Sequence, residues 1–317
     1  MTRLNLPLLD ELTKCRHLLI AGMGGGFDLF CGLPIYHELR RFGVNIHLAN
    51  LTFTRIEFAK SVQKVSQLIT GVTADTQSVL LYFPELRLAQ FLRNEGDDQT
   101  IWCFHADNAP ALLQAYRALI ETLNIDGILL MDGGVDSLMR GDEAQIGTVL
   151  EDGFSLAAID ELSGLQFRRM ACLGFGTEQD VSHGHVLENI AALMETGAFL
   201  GSCALSRHMD AFTFYEQAVA FAHNARGQEP SVVQSSVVAA THGHYGNFHA
   251  TEKTRDSRLH LSPLMPLYWF FDVPGVAARN LFLPGLRRAP TRRDALAAIA
   301  QIRTVVPVRR PAPPLFI

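Results

Sequence analysis

The sequence has few cysteines and no cysteine pairing motif. Its 317 residues include five cysteines, an odd number, and no two of them are spaced as C-x-x-C. This pattern argues against both a disulfide framework and a structural zinc site. It is typical of a protein of the reducing cytoplasm, which is the location we expect for this chain.

Long apolar runs and blocks of a single charge are also absent. No run approaches the roughly 20 apolar residues of a membrane helix. The N-terminal segment interrupts its apolar pattern with Asp10, Glu11, Lys14 and Arg16, unlike a signal peptide. The net charge of −5 is spread over the chain without a basic cluster. We therefore expect neither a membrane nor a nucleic acid as partner.

The composition is that of a globular protein with a substantial core. Hydrophobic residues make up 48% of the chain, and neither an internal repeat nor a low-complexity linker divides it. We therefore predict a single elaborated domain over residues 1–304. Residues 305–317 contain too many prolines for a helix or a central strand, which predicts an extended C-terminal tail.

Short apolar runs alternate with longer helical patterns, which is typical of an α/β fold. Strands are predicted at residues 17–21, 44–50, 78–83, 100–104, 127–132 and 166–173, with a further strand ending at Asp272. Helices are predicted at residues 29–41, 55–69, 86–94, 109–123, 183–197, 211–225 and 231–240, with a closing helix that begins near Thr291. The pattern predicts a Rossmann-like three-layer fold, in which a mostly parallel sheet carries helices on both faces.

The first candidate site is the glycine-rich stretch "GMGGGFD", residues 22–28, between the first strand and the first helix of the alternation. Glycines let the backbone approach a ligand, and free amides at a helix start attract anions. We therefore predict that Gly22, Gly24, Gly25 and Gly26 bind phosphate. Asp28 either caps the following helix or ligates a metal ion that bridges protein and phosphate.

The same stretch departs from the dinucleotide-binding pattern G-x-G-x-x-G. Phe27 and Asp28 break the spacing, and the second strand ends at Asn50 where a dinucleotide-binding protein usually has an acid for the ribose. NAD(P) is therefore the less favoured cofactor.

The second candidate site is the acidic stretch "MDGGVDSLMRGDE", residues 131–143, directly after a predicted strand. Its acids could hold a divalent cation such as Mg²⁺ or act as general acid and base, and its arginine could bind a phosphate. Ligands of open parallel sheets bind at the carboxyl ends of the strands, so this loop and the glycine loop should share one cleft. The proposed functional residues are Asp132, Asp136, Asp142, Glu143, Ser137 and Arg140.

Two further loops carry candidate residues. "GFGTEQDVSHGH", residues 174–185, again follows a strand, and from it we predict Gly176 and Thr177 as substrate contacts and His183 as a catalytic residue. "THGHYGNFHAT", residues 241–251, holds three histidines, of which His244 is predicted to contact substrate. In the first of these loops, Ser182 or Asp180 could instead simply cap the helix that begins near His183.

Together these stretches resemble an uncharacterised bacterial and archaeal family, the domain of unknown function numbered 1152. The resemblance is carried by "AGMGGGFDLFCGLPI", by "DGGVDSLMRGDE" followed by "GTVLED", by "LGFGTEQDVSHG" and by "PLYWFFDVPGVAARN". It extends from about His17 to about Asn280. The resemblance implies a Rossmann-like α/β protein and brings no catalytic assignment.

The functional expectation therefore depends on the loops. We predict an intracellular enzyme, a hydrolase or transferase, that binds a nucleotide or other phosphorylated small molecule with the help of a divalent cation. One alternative is an NAD(P)- or flavin-dependent oxidoreductase. Another is a non-catalytic ligand-binding or assembly protein, because the fold alone does not fix function. The sequence leaves open whether the chain forms a homo-oligomer.

Overall fold

The structure is a computed structural model that describes residues 7–312. Its strands form one nine-stranded sheet. They are β1 (His17–Gly22), β2 (Asn45–Leu51), β3 (Gln63–Lys64), β4 (Ile69–Val72), β5 (Ile101–Phe104), β6 (Gly127–Asp132), β7 (Phe167–Leu173), β8 (Phe199–Ala204) and β9 (Leu267–Asp272). The spatial order is β3-β4-β5-β2-β1-β6-β7-β9-β8. The five central strands, β5 to β7 in this order, are parallel, and antiparallel pairs complete both edges.

Helices cover both faces of this sheet. They are α1 (Pro7–Leu12), α2 (Leu33–Arg40), α3 (Pro84–Asn94), α4 (Ala109–Leu123), α5 (Val149–Asp160), α6 (His183–Glu195), α7 (Asp210–His223), α8 (Val232–Thr241), α9 (Val273–Arg279), α10 (Leu283–Leu286) and α11 (Arg292–Val305). Within residues 7–312, no helix combines the length and the apolar character needed to cross a membrane.

The sheet separates two large apolar clusters, which makes the fold a three-layer α/β fold. On β1, Leu19 and Ala21 join the cluster beneath α4 and α5, while Leu18 and Ile20 join the cluster beneath α2 and α7. Successive side chains of a strand point to opposite faces, so a strand covered on both faces must be apolar throughout. The run "GILLMD" of β6, which the sequence predicted as a strand, is buried over its whole length and is apolar up to its final aspartate.

The strand order places a topological switch point between β1 and β6. From β1 the chain passes to β2 on one side, and it returns later to place β6 on the other side. The two strands end together, since Gly22 pairs with Met131 and the amide of Met23 donates to the carbonyl of Met131 over 2.9 Å. The loops that follow β1 and β6 therefore diverge from neighbouring points and leave a crevice between them, where open α/β sheets bind ligands.

Two predicted elements of the first half are wrong. Residues 78–83 form no strand, and the neighbour of β5 is β4. Val79 and Leu81, two of the apolar residues of this segment, are exposed. Residues 55–69 form no helix but a short 3-10 turn (Ile56–Phe58) and the β3–β4 hairpin. Few side chains in that segment are buried, so a helix there would gain little from packing.

The helix α5 is the most consequential element missing from the sequence-based prediction. Every side chain from Val149 to Ile159 is buried, including the acids, and Gly153 lies in its middle. A helix that is buried all round lacks the one-sided apolar pattern by which helices are detected. The predicted tail is described only as far as residue 312, where residues 306–312 carry no helix or strand.

Candidate functional site

A cavity of about 280 Å³ lies at the carboxyl ends of β1 and β6. We refer to it as the acidic cleft. It is lined by Gly24, Gly25, Asp28, Phe53, Asp132, Gly133, Asp136, Thr148, Glu151, Asp152 and Glu178. None of these lining residues is a lysine, an arginine or a histidine. A larger cavity of about 570 Å³ lies near the opposite ends of β1 and β2, where His17 and Asn45 line it, and it holds no comparable group of acids.

Three carboxylates of the acidic cleft converge from different elements. Asp132 is the last residue of β6, Asp136 follows in the next turn, and Asp152 lies in the first turn of α5. One oxygen from each can be chosen so that all three lie within 4.8 Å of one another, and all three residues are buried. We refer to these residues as the aspartate triad. Asp28 and Glu178 line the same cleft.

The glycine loop brings its backbone against these acids. The amide of Gly24 donates to Asp28 Oδ2 over 2.6 Å. A Cβ atom at Gly24 would lie 2.7 Å from Asp152 Oδ1 and 2.8 Å from Asp28 Oδ2, so any larger residue would displace a carboxylate. Gly25 adopts a φ of +92°, a conformation that favours glycine. The loop therefore supports the acids of the cleft, and one of its amides is already bonded to a carboxylate.

Two neighbouring side chains donate hydrogen bonds to Asp132, one of the three acids of the triad. It accepts a hydrogen bond from the hydroxyl of Ser137 and a weaker one from Cys172 Sγ over 3.5 Å. Burial, followed by the negative charge of Asp136, raises the pKa of Asp132 from 3.8 to about 7. The group can therefore change its protonation state near neutral pH.

Backbone amides hold the next two acids in place. Asp136 Oδ2 accepts from the amide of Thr148 over 2.8 Å, and Glu178 Oε2 accepts from the amide of Val135 over 2.7 Å. Burial and then the charges of Asp136 and Asp132 raise the pKa of Glu178 well above its ordinary value. The loop after β7 thus supplies an acid to the same cleft as the loop after β6.

Asp152 has a buried carboxylate oxygen without a hydrogen-bond partner. The residue is 5% exposed, and its Oδ1 atom is buried without any hydrogen-bond partner. Burial and then the charges of Asp136, Asp132 and Asp28 raise the pKa of Asp152 well above its ordinary value. Burial and the charge of Asp132 likewise raise the pKa of Asp28. Buried polar atoms are normally paired, so the unpaired carboxylate oxygen of Asp152 among like charges is an exception that requires an explanation.

Among residues 7–312, only one acid at this cleft has a cationic partner. Glu151 pairs with Arg292 over 2.5 Å. The triad, Asp28 and Glu178 have no lysine or arginine among their described ion pairs. The described part of the chain therefore supplies no lysine or arginine partner to these five acids.

We refer to the acidic stretch of residues 131–143 as the acidic loop. Its second half, which contains Asp142 and Glu143, has a different environment. Asp142 forms ion pairs with Arg140 and with Arg309, the latter over 2.9 Å. Glu143 is fully buried and accepts hydrogen bonds from Asn189 over 2.7 Å and from Arg309 over 2.5 Å. Burial acts to raise the pKa of Glu143, but hydrogen bonds from Asn189 and from backbone amides outweigh it and lower that pKa. These residues, proposed from the sequence as catalytic or phosphate-binding, do not line the acidic cleft.

Several other sequence-predicted residues also lie outside the cleft lining. Thr177 donates to the carbonyl of Gly174 over 2.8 Å, and the ring of His183 is hydrogen-bonded to the carbonyl of Glu178 over 2.8 Å. His244 stacks on Phe248 with ring centroids 4.0 Å apart. Gly22, Gly26, Ser137 and Gly176 are not lining residues either, although Ser137 contacts the triad through Asp132.

Asn50, which replaces the expected ribose-binding acid, has a structural role. It is fully buried, and its Nδ2 donates to the carbonyl of Gly26 and to Glu85 Oε1, both over 2.9 Å. The side chain therefore ties the glycine loop to α3 and is turned away from solvent. This arrangement gives no support to a ribose-binding role at this position.

The sequence-based prediction did not assign a role to Asp152, Glu178 or Phe53. Asp152 belongs to the "GTVLED" segment, and acids in the first turn of a helix are a recognisable start signal. That signal was available, but α5 itself was not predicted. Glu178 lies in a predicted functional loop, and its position after β7 was the available signal.

The model of a family described as a protein of unknown function, DUF1152, matches residues 19–306. No curated protein matches the chain, and no solved structure matches it.

Proposed function

The chain belongs to the DUF1152 family, whose function is unknown, and we propose that it is an enzyme acting on a phosphorylated small molecule. In this proposal a divalent cation binds the aspartate triad in the acidic cleft. The reaction is hydrolysis or transfer of a group, assisted by that cation and by acid–base chemistry of the surrounding carboxylates.

The observation that carries the proposal is the unpartnered oxygen of Asp152 within the triad. Asp132, Asp136 and Asp152 offer oxygen ligands within 4.8 Å of one another, and Asp152 Oδ1 has no partner although it is buried. Carboxylate oxygens are the ligands preferred by Mg²⁺ and Mn²⁺. A cation here would satisfy the orphaned oxygen and offset the repulsion among the carboxylates.

The charge of the cleft also supports a cation as the link to substrate. A phosphate alone would be repelled by the acids, because no lysine, arginine or histidine of the described chain lines the cleft. Mg²⁺ is commonly bound through one or two carboxylates together with substrate phosphates. Asp28 and Glu178, whose pKa values are raised, lie beside the triad as candidates for proton transfer.

Calorimetric titration tests this proposal. Nucleoside di- and triphosphates and inorganic pyrophosphate are titrated into the wild type with Mg²⁺ and in EDTA, and the series is repeated on Asp136→Asn. We expect binding that requires Mg²⁺ and that is lost or weakened at least about tenfold in the variant, because a ligand of the cation is removed. The control is Asp256→Asn, since Asp256 is exposed and lies outside the cleft lining. Absence of binding in every combination would overturn the proposal.

A further inference from the structure

Among the described residues that line the acidic cleft, Phe53 is the only aromatic one and the only large apolar one. It follows β2 and therefore lies at the same end of the sheet as the triad. Its side chain is 55% exposed although the chain has a large core available. One edge of the ring lies against the glycine loop, where Phe53 Cζ and Cε2 would be 3.0 and 3.1 Å from a Cβ at Gly25. The absence of a side chain at Gly25 thus leaves room for this ring.

The size of the cleft limits what it can enclose. At about 280 Å³ it lies at or below the lower end of the range of about 300–1,000 Å³ found for small-molecule pockets. It can therefore enclose a cation with a phosphate group and part of a sugar. Any further part of a substrate must pass along the wall of the cleft toward solvent, and an exposed ring of Phe53 forms part of that wall.

From the position and exposure of Phe53, we propose that the substrate is a nucleotide whose base stacks on the Phe53 ring. This inference rests on the proposed function, because the phosphates of that nucleotide would bind through the cation at the triad. Every nucleobase presents a flat π face, so an aromatic ring binds bases without strong preference among them. The proposal therefore assigns the class of substrate, a nucleotide, without selecting the base.

Phe58 provides a matched comparison within the same segment of the chain. It is 53% exposed, almost as much as Phe53, but it does not line the acidic cleft. Its ring face is covered by the guanidinium of Arg55, 4.7 Å from the ring centroid. A substitution at Phe58 removes the same amount of exposed aromatic surface without changing the cleft.

The test compares the base-containing ligand with its phosphate part alone. Adenosine diphosphate and inorganic pyrophosphate are each titrated with Mg²⁺ into the wild type, Phe53→Leu, Phe53→Trp and Phe58→Leu. In the wild type we expect adenosine diphosphate to bind at least about fivefold more tightly than pyrophosphate, since stacking on an aromatic ring strengthens binding by at least that factor. Phe53→Leu should remove this difference and leave pyrophosphate binding unchanged. Phe53→Trp and Phe58→Leu should retain it.

The outcomes separate this inference from the proposed function. If pyrophosphate binds with Mg²⁺ but the nucleotide binds no more tightly, or if Phe53→Leu preserves the difference, the base-stacking inference is wrong while the cation-assisted function stands. If neither ligand binds to the wild type, the proposed function fails and the inference fails with it.

Discussion

The two halves of the acidic loop contain the same residue types in opposite environments. In the first half, Asp132 and Asp136 face a cleft lined by other acids and by no basic side chain. In the second half, Asp142 and Glu143 are held by Arg309 and, for Glu143, by Asn189 as well. Burial is similar, since all four residues are at most 5% exposed. The difference is whether the chain supplies a cation.

The described residues thus divide these acids into a pair with an arginine partner and a pair without one. Acids with an arginine partner and several hydrogen bonds fix the loop to α6 and to the C-terminal segment. Acids that are buried together without such a partner cost stability, and perturbed carboxylates of this kind are typical of functional sites. The sequence alone does not distinguish the two, because the arginine that neutralises Glu143 lies 166 positions further along the chain.

The largest expected effect is a pH dependence that arises in the first half of the loop. The folded pKa of Asp132 lies at about 7 and its ordinary value is 3.8, so between these values the folded state binds more protons than the unfolded state. Stability must then fall as pH rises from 4 to 7. A rise in pKa from 3.8 to about 7 corresponds to about 4 kcal/mol in the free energy of unfolding.

Urea unfolding in EDTA checks this prediction. The free energy of unfolding of the wild type, relative to Asp132→Asn, should fall by about 4 kcal/mol between pH 4 and pH 7.5. Glu143 has a lowered pKa, so relative to Glu143→Gln the wild type should instead lose stability as pH falls below about 4.5. A constant difference between wild type and Asp132→Asn across the range would contradict the raised pKa.

The next effect concerns the second half of the loop. Arg309→Ala should destabilise the protein by about 3 kcal/mol, because it leaves Glu143 buried without its cationic partner. Arg310→Ala is the control, since Arg310 is exposed and a surface substitution changes stability by no more than about 0.5 kcal/mol. Equal unfolding free energies for the two variants, measured in urea, would show that the Arg309 ion pairs contribute nothing to stability.

The smallest expected effect is a gain in the stability of the protein. Asp152→Asn replaces a carboxyl whose ionised form is opposed by burial and by neighbouring charges, so without a cation it should stabilise the protein by about 1–2 kcal/mol. With Mg²⁺ present the wild type should gain stability and the variant should gain little, because the variant has lost a ligand of the cation. Thermal unfolding with Mg²⁺ and in EDTA measures both effects. A stabilising effect of Mg²⁺ that is equal in the two proteins would place the cation elsewhere.

The fold was predictable where burial and local pattern agree. The bounds of β6 and α4 match the predictions because one is an apolar run buried on both faces and the other has a regular one-sided pattern. Residues 55–69 and 78–83 were predicted wrongly because most of their apolar side chains are only partly buried or are exposed, which no local pattern reveals. The helix α5 was missed for the converse reason, since all its faces are buried.

The candidate site was predictable only in part for the same reasons. Asp28, Asp132 and Asp136 were found because each lies just beyond the end of a parallel strand or at that end. Asp152 was missed along with the helix that carries it, although its oxygen makes the strongest argument for a cation. Asp142 and Glu143 were predicted to lie in the same cleft but do not line it; they pair instead with Arg309, which is remote in sequence.

Binding of a divalent cation by the aspartate triad, as we propose it, would be visible in crystals of the protein. Crystals grown at pH 8, where the pKa of about 7 leaves Asp132 ionised, are soaked in Mn²⁺ and examined by anomalous diffraction. We predict an anomalous peak within about 2.0–2.3 Å of carboxylate oxygens of Asp132, Asp136 and Asp152, and no such peak in crystals of Asp152→Asn. A wild-type map without a peak at the triad would contradict the account.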